Sequence, residues 1–139
     1  MRRTDYSLLF VRLGLGAVFI LFGYDKLLHP ENWIIFCPPQ ASEIVPFSLY
    51  TFLKLQGTAE TLLGTALGLG FMTRLSAFFT TVILGLIIFF LWLDPIAVRD
   101  IGLLCASLAL VISGGGRWSL ERLFDHQDRS DKTRPERTL

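Results

Sequence analysis

The chain has 139 residues, 52% of them hydrophobic, and a formal charge of +1. That length bounds it to one domain, and the near-neutral charge gives no basis for a nucleic-acid partner. A mean hydropathy of +0.52 suits a membrane protein better than a soluble globule.

Cys37 and Cys105 are too far apart to form a CxxC, and His29 and His126 fall outside the apolar runs. No metal or redox cysteine motif and no bis-histidine membrane haem are therefore expected. The N-terminal MRRTDYS leads into an apolar run too long for a signal-peptide core, with no clear small-residue cleavage site, so it reads as a retained first span.

Four apolar stretches follow in order, at about 7–28, 47–71, 75–93 and 96–113. Each has close to the ~20 residues a helix needs to cross a ~30 Å hydrocarbon core. The third carries no charge from Leu75 to Leu93 and has no polar face, as a soluble bundle helix would. Lys26, Lys54 and Arg99 fall on one side of the resulting topology, and the other ten of the thirteen Lys and Arg fall on the opposite side. The positive-inside rule then places both termini in the cytoplasm. The expected fold is an all-α four-helix transmembrane bundle over residues 1–124, followed by a charged, disordered tail at 125–139.

The segments between the spans are read more coarsely. The long outer loop from His29 to Ser48 is broken by Pro38, Pro39 and Pro46, with Trp33 as an interfacial anchor. Gly114-Gly115-Gly116 ends the fourth span, and residues 118–124 suggest a short surface helix with Ser119 as N-cap.

In the first span Arg12, Gly16, Phe19, Gly23 and Lys26 form one stripe. In the second, Gly57, Glu60, Thr61, Gly64 and Gly68 share a face opposite Leu55, Leu62 and Leu69, at 100° per residue. Gly64 and Gly68 make a GxxxG pair, which lets helix backbones approach closely. Glu60 is therefore expected to point into the bundle, with Lys54 at the edge of its face and Asp100 in the first turn of the fourth span. Ionisable groups within a membrane pair with one another or line a cavity. Lys54–Asp100 and Arg12–Glu60 are the pairings this pattern suggests, whereas Lys26 and Arg99, near helix ends, read as snorkelling to the interface.

The runs 12-RLGLGAVFILFGYDKL-27, 60-ETLLGTALGLGFMTRLSA-77 and 99-RDIGLLCASLALVISGGGRWSLE-121 together resemble the DoxX/DoxD family of small bacterial and archaeal membrane proteins. The resemblance reaches about Phe124. Family members typically carry a Gly-Pro-Gly-Arg-like turn followed by Ser-Leu-Asp, where this chain has Gly114-Gly115-Gly116-Arg117 and then Ser119-Leu120-Glu121. The long proline-containing first loop is also less typical of the family.

What the resemblance implies is a multi-pass protein of the cytoplasmic (inner) membrane. Its best-defined branch is a membrane subunit of a thiosulfate:quinone oxidoreductase, which acts with a second subunit. On that reading Glu60 exchanges protons as the catalytic group, Lys54 or Arg12 hydrogen-bonds a bound quinone, and Phe19 or Phe22 flanks its ring. Asp100 completes the polar ligand-binding set. No sequence motif for a further electron carrier is present, so a redox partner protein would be needed. The competing reading is an assembly protein whose packing glycines, Gly16, Gly23, Gly57, Gly64 and Gly68, dock partner helices or a second copy in the bilayer. A small transporter ranks third.

Overall fold

A computed structural model describes residues 3–37, 46–90, 95–116 and 119. Among them are five helices and no strand: α1 (Arg3–Leu28), α2 (Glu31–Ile34), α3 (Leu49–Leu69), α4 (Thr73–Phe90) and α5 (Pro95–Ser113). The four long helices coincide with the four apolar stretches to within a few residues. The end of the third stretch at 91–93, the surface helix at 118–124 apart from Ser119, and the tail at 125–139 lie outside the described residues.

Local chemistry sets the ends of these helices. Ser48 caps α3, its hydroxyl accepting the Thr51 N–H at 3.4 Å. At the other end Gly70 takes a left-handed conformation (φ 74°), and the Phe71 N–H returns to the Ala66 carbonyl. This closure turns the chain straight into α4. Gly114 ends α5 in the same way, with φ 75°.

α1 and α3 run antiparallel in close contact, and glycines set their separation. A Cβ on Gly16 would lie 2.8 Å from the Gly64 carbonyl oxygen, and one on Gly23 would lie 2.7 Å from that of Gly57. Gly57 and Gly64 meet α1 reciprocally: a Cβ on either would lie 2.7 Å from a facing glycine oxygen, that of Gly23 or Gly16. Gly68 differs: a Cβ there would meet nothing within 4 Å, although one on Gly16 would lie 3.1 Å from the Gly68 nitrogen. α4 packs mainly on α5, joined by a 2.8 Å hydrogen bond between the Thr81 and Ser107 hydroxyls. The two pairs meet along thinner contacts around a core of Leu15, Phe19, Leu67, Ala77, Leu84 and Leu110.

Polarity is distributed inside out. Arg12, Lys26, Glu60, Thr80, Asp100 and Ser107 are buried, while Phe10, Leu21, Leu62, Phe89 and Ile112 face outward. α1, from Asp5 to Leu28, and α4 are long and apolar enough to cross a membrane by length and composition. α3 falls short because Lys54, Gln56, Glu60 and its threonines lower its hydropathy; of these Glu60 is buried and Gln56 and Thr61 are half-buried, while Lys54, Thr51, Thr58 and Thr65 are exposed.

Candidate functional site

At the end of the bundle away from the termini, the four long helices and α2 enclose a cavity of about 380 Å³. Its walls are almost wholly apolar, with Phe19 and Phe22 from α1, Phe52 from α3, and Ile87 and Phe90 from α4. Phe19 and Leu84 belong both to this wall and to the buried core, so the core forms the cavity floor.

Polar groups converge on one part of that wall. The Lys26 ammonium donates to both carboxylate oxygens of Glu60, at 2.6 and 2.8 Å. The Gln56 amide donates to Glu60 Oε1 at 3.1 Å. The register of α1 on α3 explains the pair. With Gly23 opposite Gly57, Lys26 and Glu60 sit one turn to either side of that contact, a stagger of about 9 Å at 1.5 Å per residue. Side chains lean toward the N-terminus of their own helix. In antiparallel helices Lys26 and Glu60 therefore lean toward each other and close the gap.

Trp33 on α2 covers the ammonium, with its ring centroid 4.8 Å from Nζ. Its indole N–H donates to Asp25 at 2.8 Å, and its ring meets Phe22 edge-on. From α5, Arg99 donates to the buried Asp100 carboxylate at 2.9 Å and lies over the Phe22 ring at 4.6 Å. Cys37 lines the same end, outside the long helices. Burial pushes its thiol pKa up, and the charge of Lys26 offsets part of that rise.

Of the residues singled out in the sequence as ligand contacts, Phe19, Phe22, Glu60 and Asp100 line the cavity. Lys54 is exposed and does not line the cavity, and Asp100 pairs with Arg99 rather than with Lys54. Its helical angle puts it at the edge of the Glu60 face, and the adjoining α1 occupies the interior side.

Arg12 does not reach Glu60 either. It lies at the opposite end of the bundle, donating to the Gly115 carbonyl at 2.8 Å beside Gly70. Lys26 takes the place expected for both, and instead of snorkelling it is only 5% exposed. Sequence reasoning also missed Gln56. The signal for Lys26 was the matched seven-residue spacing of Gly16–Gly23 and Gly57–Gly64, which fixes the crossing register.

Cys37 and Cys105 are free thiols, and no group of His, Cys, Asp and Glu among the described residues suits a metal ion.

Buried charges on an apolar cavity, inside helices with hydrocarbon outer faces, define a helical membrane protein. The chain belongs to the DoxX family, whose model matches residues 7–92. It is similar to an uncharacterized membrane protein of Mycobacterium tuberculosis, 28% identical over 134 residues that cover 84% of this chain and 80% of that one. No solved structure matches it.

Proposed function

We propose that the chain is a four-span protein of a bacterial or archaeal cytoplasmic membrane, both termini inside, whose cavity binds a quinone as part of a redox system completed by a partner protein. The observation that carries this reading is the buried Lys26–Glu60 pair on the wall of an aromatic, apolar cavity. Ligand sites combine this kind of lining with a few placed polar groups, in volumes of about 300–1,000 Å³.

Support for four spans comes from the outward-facing large apolar residues on all four long helices, with Arg12, Lys26, Glu60 and Asp100 turned into the interior. Irregular or charged groups at membrane depth need such an interior. The distribution of Lys and Arg supports the orientation.

The residues fit the ligand class. Phe19, Phe22 and Phe52 offer flat apolar surface to a ring, and Lys26 and Gln56 present N–H donors for a carbonyl oxygen. Glu60 is the carboxylate placed to hold or pass a proton at its Oε atoms. A bound quinone supplies two-electron redox chemistry coupled to proton uptake, and the electrons come from the partner. The assembly reading has less behind it, because Gly16, Gly23, Gly57 and Gly64 already face each other across α1 and α3.

Mass spectrometry of organic extracts from purified wild-type protein and Glu60→Gln tests the proposal. Near-stoichiometric quinone in the wild type, depleted in a folded mutant, is the expected result. Absence from both after mild extraction would count against it and favour a packing role for Glu60.

A further inference from the structure

The cavity has a side opening that the ion pair does not explain. Leu86 and Phe90 line the cavity and are also 53% and 48% exposed, so they stand at its rim. The side on which that rim lies follows from the helix wheel. Thr81 bonds Ser107 and so marks the face of α4 that meets α5. Ile83, Leu86 and Phe90 lie about 140–180° around α4 from Thr81. On α3, Gly57 and Gly64 mark the face that meets α1. Phe52 and Gln56 lie about 80–140° away from those glycines. Both sets of cavity-lining residues thus border the gap between α3 and α4.

The α4 residues along that gap grow larger with distance from the turn. α3 and α4 are joined directly through Gly70, Phe71 and Met72, yet they touch far less than α1 and α3 do. Near the turn α4 is lined by small residues, Thr73, Ser76 and Ala77, all buried. Farther out Ile83, Leu86 and Phe90 are bulky. A hairpin with small residues at its closed end and large ones at its open end splays apart. The opening leads from the hydrocarbon side of the bundle to Gln56, and Gln56 bonds Glu60.

We propose that the α3–α4 gap is a lateral entrance from the bilayer, which admits a lipophilic ligand head-first and holds its tail between Phe52 and Phe90. This rests on the quinone reading and narrows it to long-tailed, membrane-dissolved quinones. Lys26, Glu60 and Gln56 take the polar ring, and the rim residues take the first tail units. The route needs no passage through the Trp33–Cys37 end, where a water-soluble ligand would enter.

The test uses wild-type protein in lipid nanodiscs and a ubiquinone carrying a photoactivatable diazirine on its tail next to the ring. After irradiation, peptide mapping is expected to find label concentrated on Phe52, Leu86 and Phe90 and removed by excess unlabelled short-tailed quinone. Label concentrated at Trp33–Cys37 would overturn the side entrance while leaving the quinone site standing. Label spread over outward residues such as Phe10 and Ile112, with no competition, would overturn both. As a second readout, Leu86→Trp narrows the rim and is expected to weaken binding of a long-tailed quinone about tenfold while changing that of a short-tailed one less than about twofold. Equal effects on the two quinones, or none on either, would contradict the proposal.

Discussion

Lys26 Nζ lies 2.6 and 2.8 Å from the two carboxylate oxygens of Glu60, and both residues are almost wholly buried, at 5% and 3% exposure. Neither charge has another opposite charge within salt-bridge distance among the described residues. Each is therefore the other's neutraliser, and removing one leaves a bare charge in the bundle.

From this follows a stability prediction. Glu60→Ala strands the Lys26 ammonium and is expected to cost about 3–5 kcal/mol, the range for breaking one partner of a buried pair. Lys26→Met combined with Glu60→Leu removes both charges at similar volume and is expected to recover most of the loss. Thermal unfolding in detergent compares the three proteins. A double variant no more stable than Glu60→Ala would show that the pair does not neutralise itself.

The glycines divide into two kinds. Gly64→Ala drives a Cβ to 2.7 Å from the Gly16 carbonyl and 2.8 Å from the Ile20 nitrogen, both backbone atoms that cannot step aside. It is expected to destabilise by about 1–3 kcal/mol, as overpacking does. Gly68→Ala meets nothing within 4 Å and is expected to stabilise by about 0.5–1 kcal/mol through helix propensity. Melting temperatures that move in the same direction would contradict the packing scheme.

How much of this was legible beforehand is clearest at Glu60. The helix wheel of α3 put Glu60 on the glycine face, and that face is buried. The same wheel could not choose its partner, because pairing depends on how α1 slides along α3. Lys54 and Arg12 looked plausible from one helix at a time, whereas the glycine register and the opposed lean of the side chains select Lys26. Trp33 was legible only as an interfacial aromatic, since its bond to Asp25 requires the chain to fold back after Pro30. Lys54→Met, accordingly, is expected to leave quinone affinity within about twofold of wild type, well inside the 1.4 kcal/mol that a tenfold change represents.

Arg12 works at the other end of the bundle. Its guanidinium donates to the Gly115 carbonyl and packs beside the left-handed Gly70. Arg12→Ala removes that bond and is expected to cost about 1–3 kcal/mol. It should also make the Gly114–Gly116 segment more susceptible to limited proteolysis, without altering quinone affinity. Unchanged cleavage there would show that the Arg12–Gly115 bond does not hold this segment.

Cys37 gives a chemical report from the Trp33 end of the cavity. Its thiol pKa is raised by burial, so the reactive thiolate is scarcer than in an ordinary cysteine at the same pH. Alkylation of Cys37 is expected to be slower than that of a free thiol at pH 8. It should keep accelerating with pH beyond the point where the free thiol levels off. A bound quinone should slow it further. Alkylation at the free-thiol rate, indifferent to quinone, would show that Cys37 does not line an enclosed site.

The most direct measurement is the affinity of a short-tailed quinone, by equilibrium dialysis in detergent, for wild type and for Lys26→Met with Glu60→Leu. Saturable one-to-one binding to wild type is expected. The double variant is expected to bind about tenfold or more weakly, the effect of losing the polar contacts to the ring, in a protein that still melts cooperatively. No saturable binding to wild type, or equal affinity in both proteins, would contradict the claim that this ion pair is part of a quinone site.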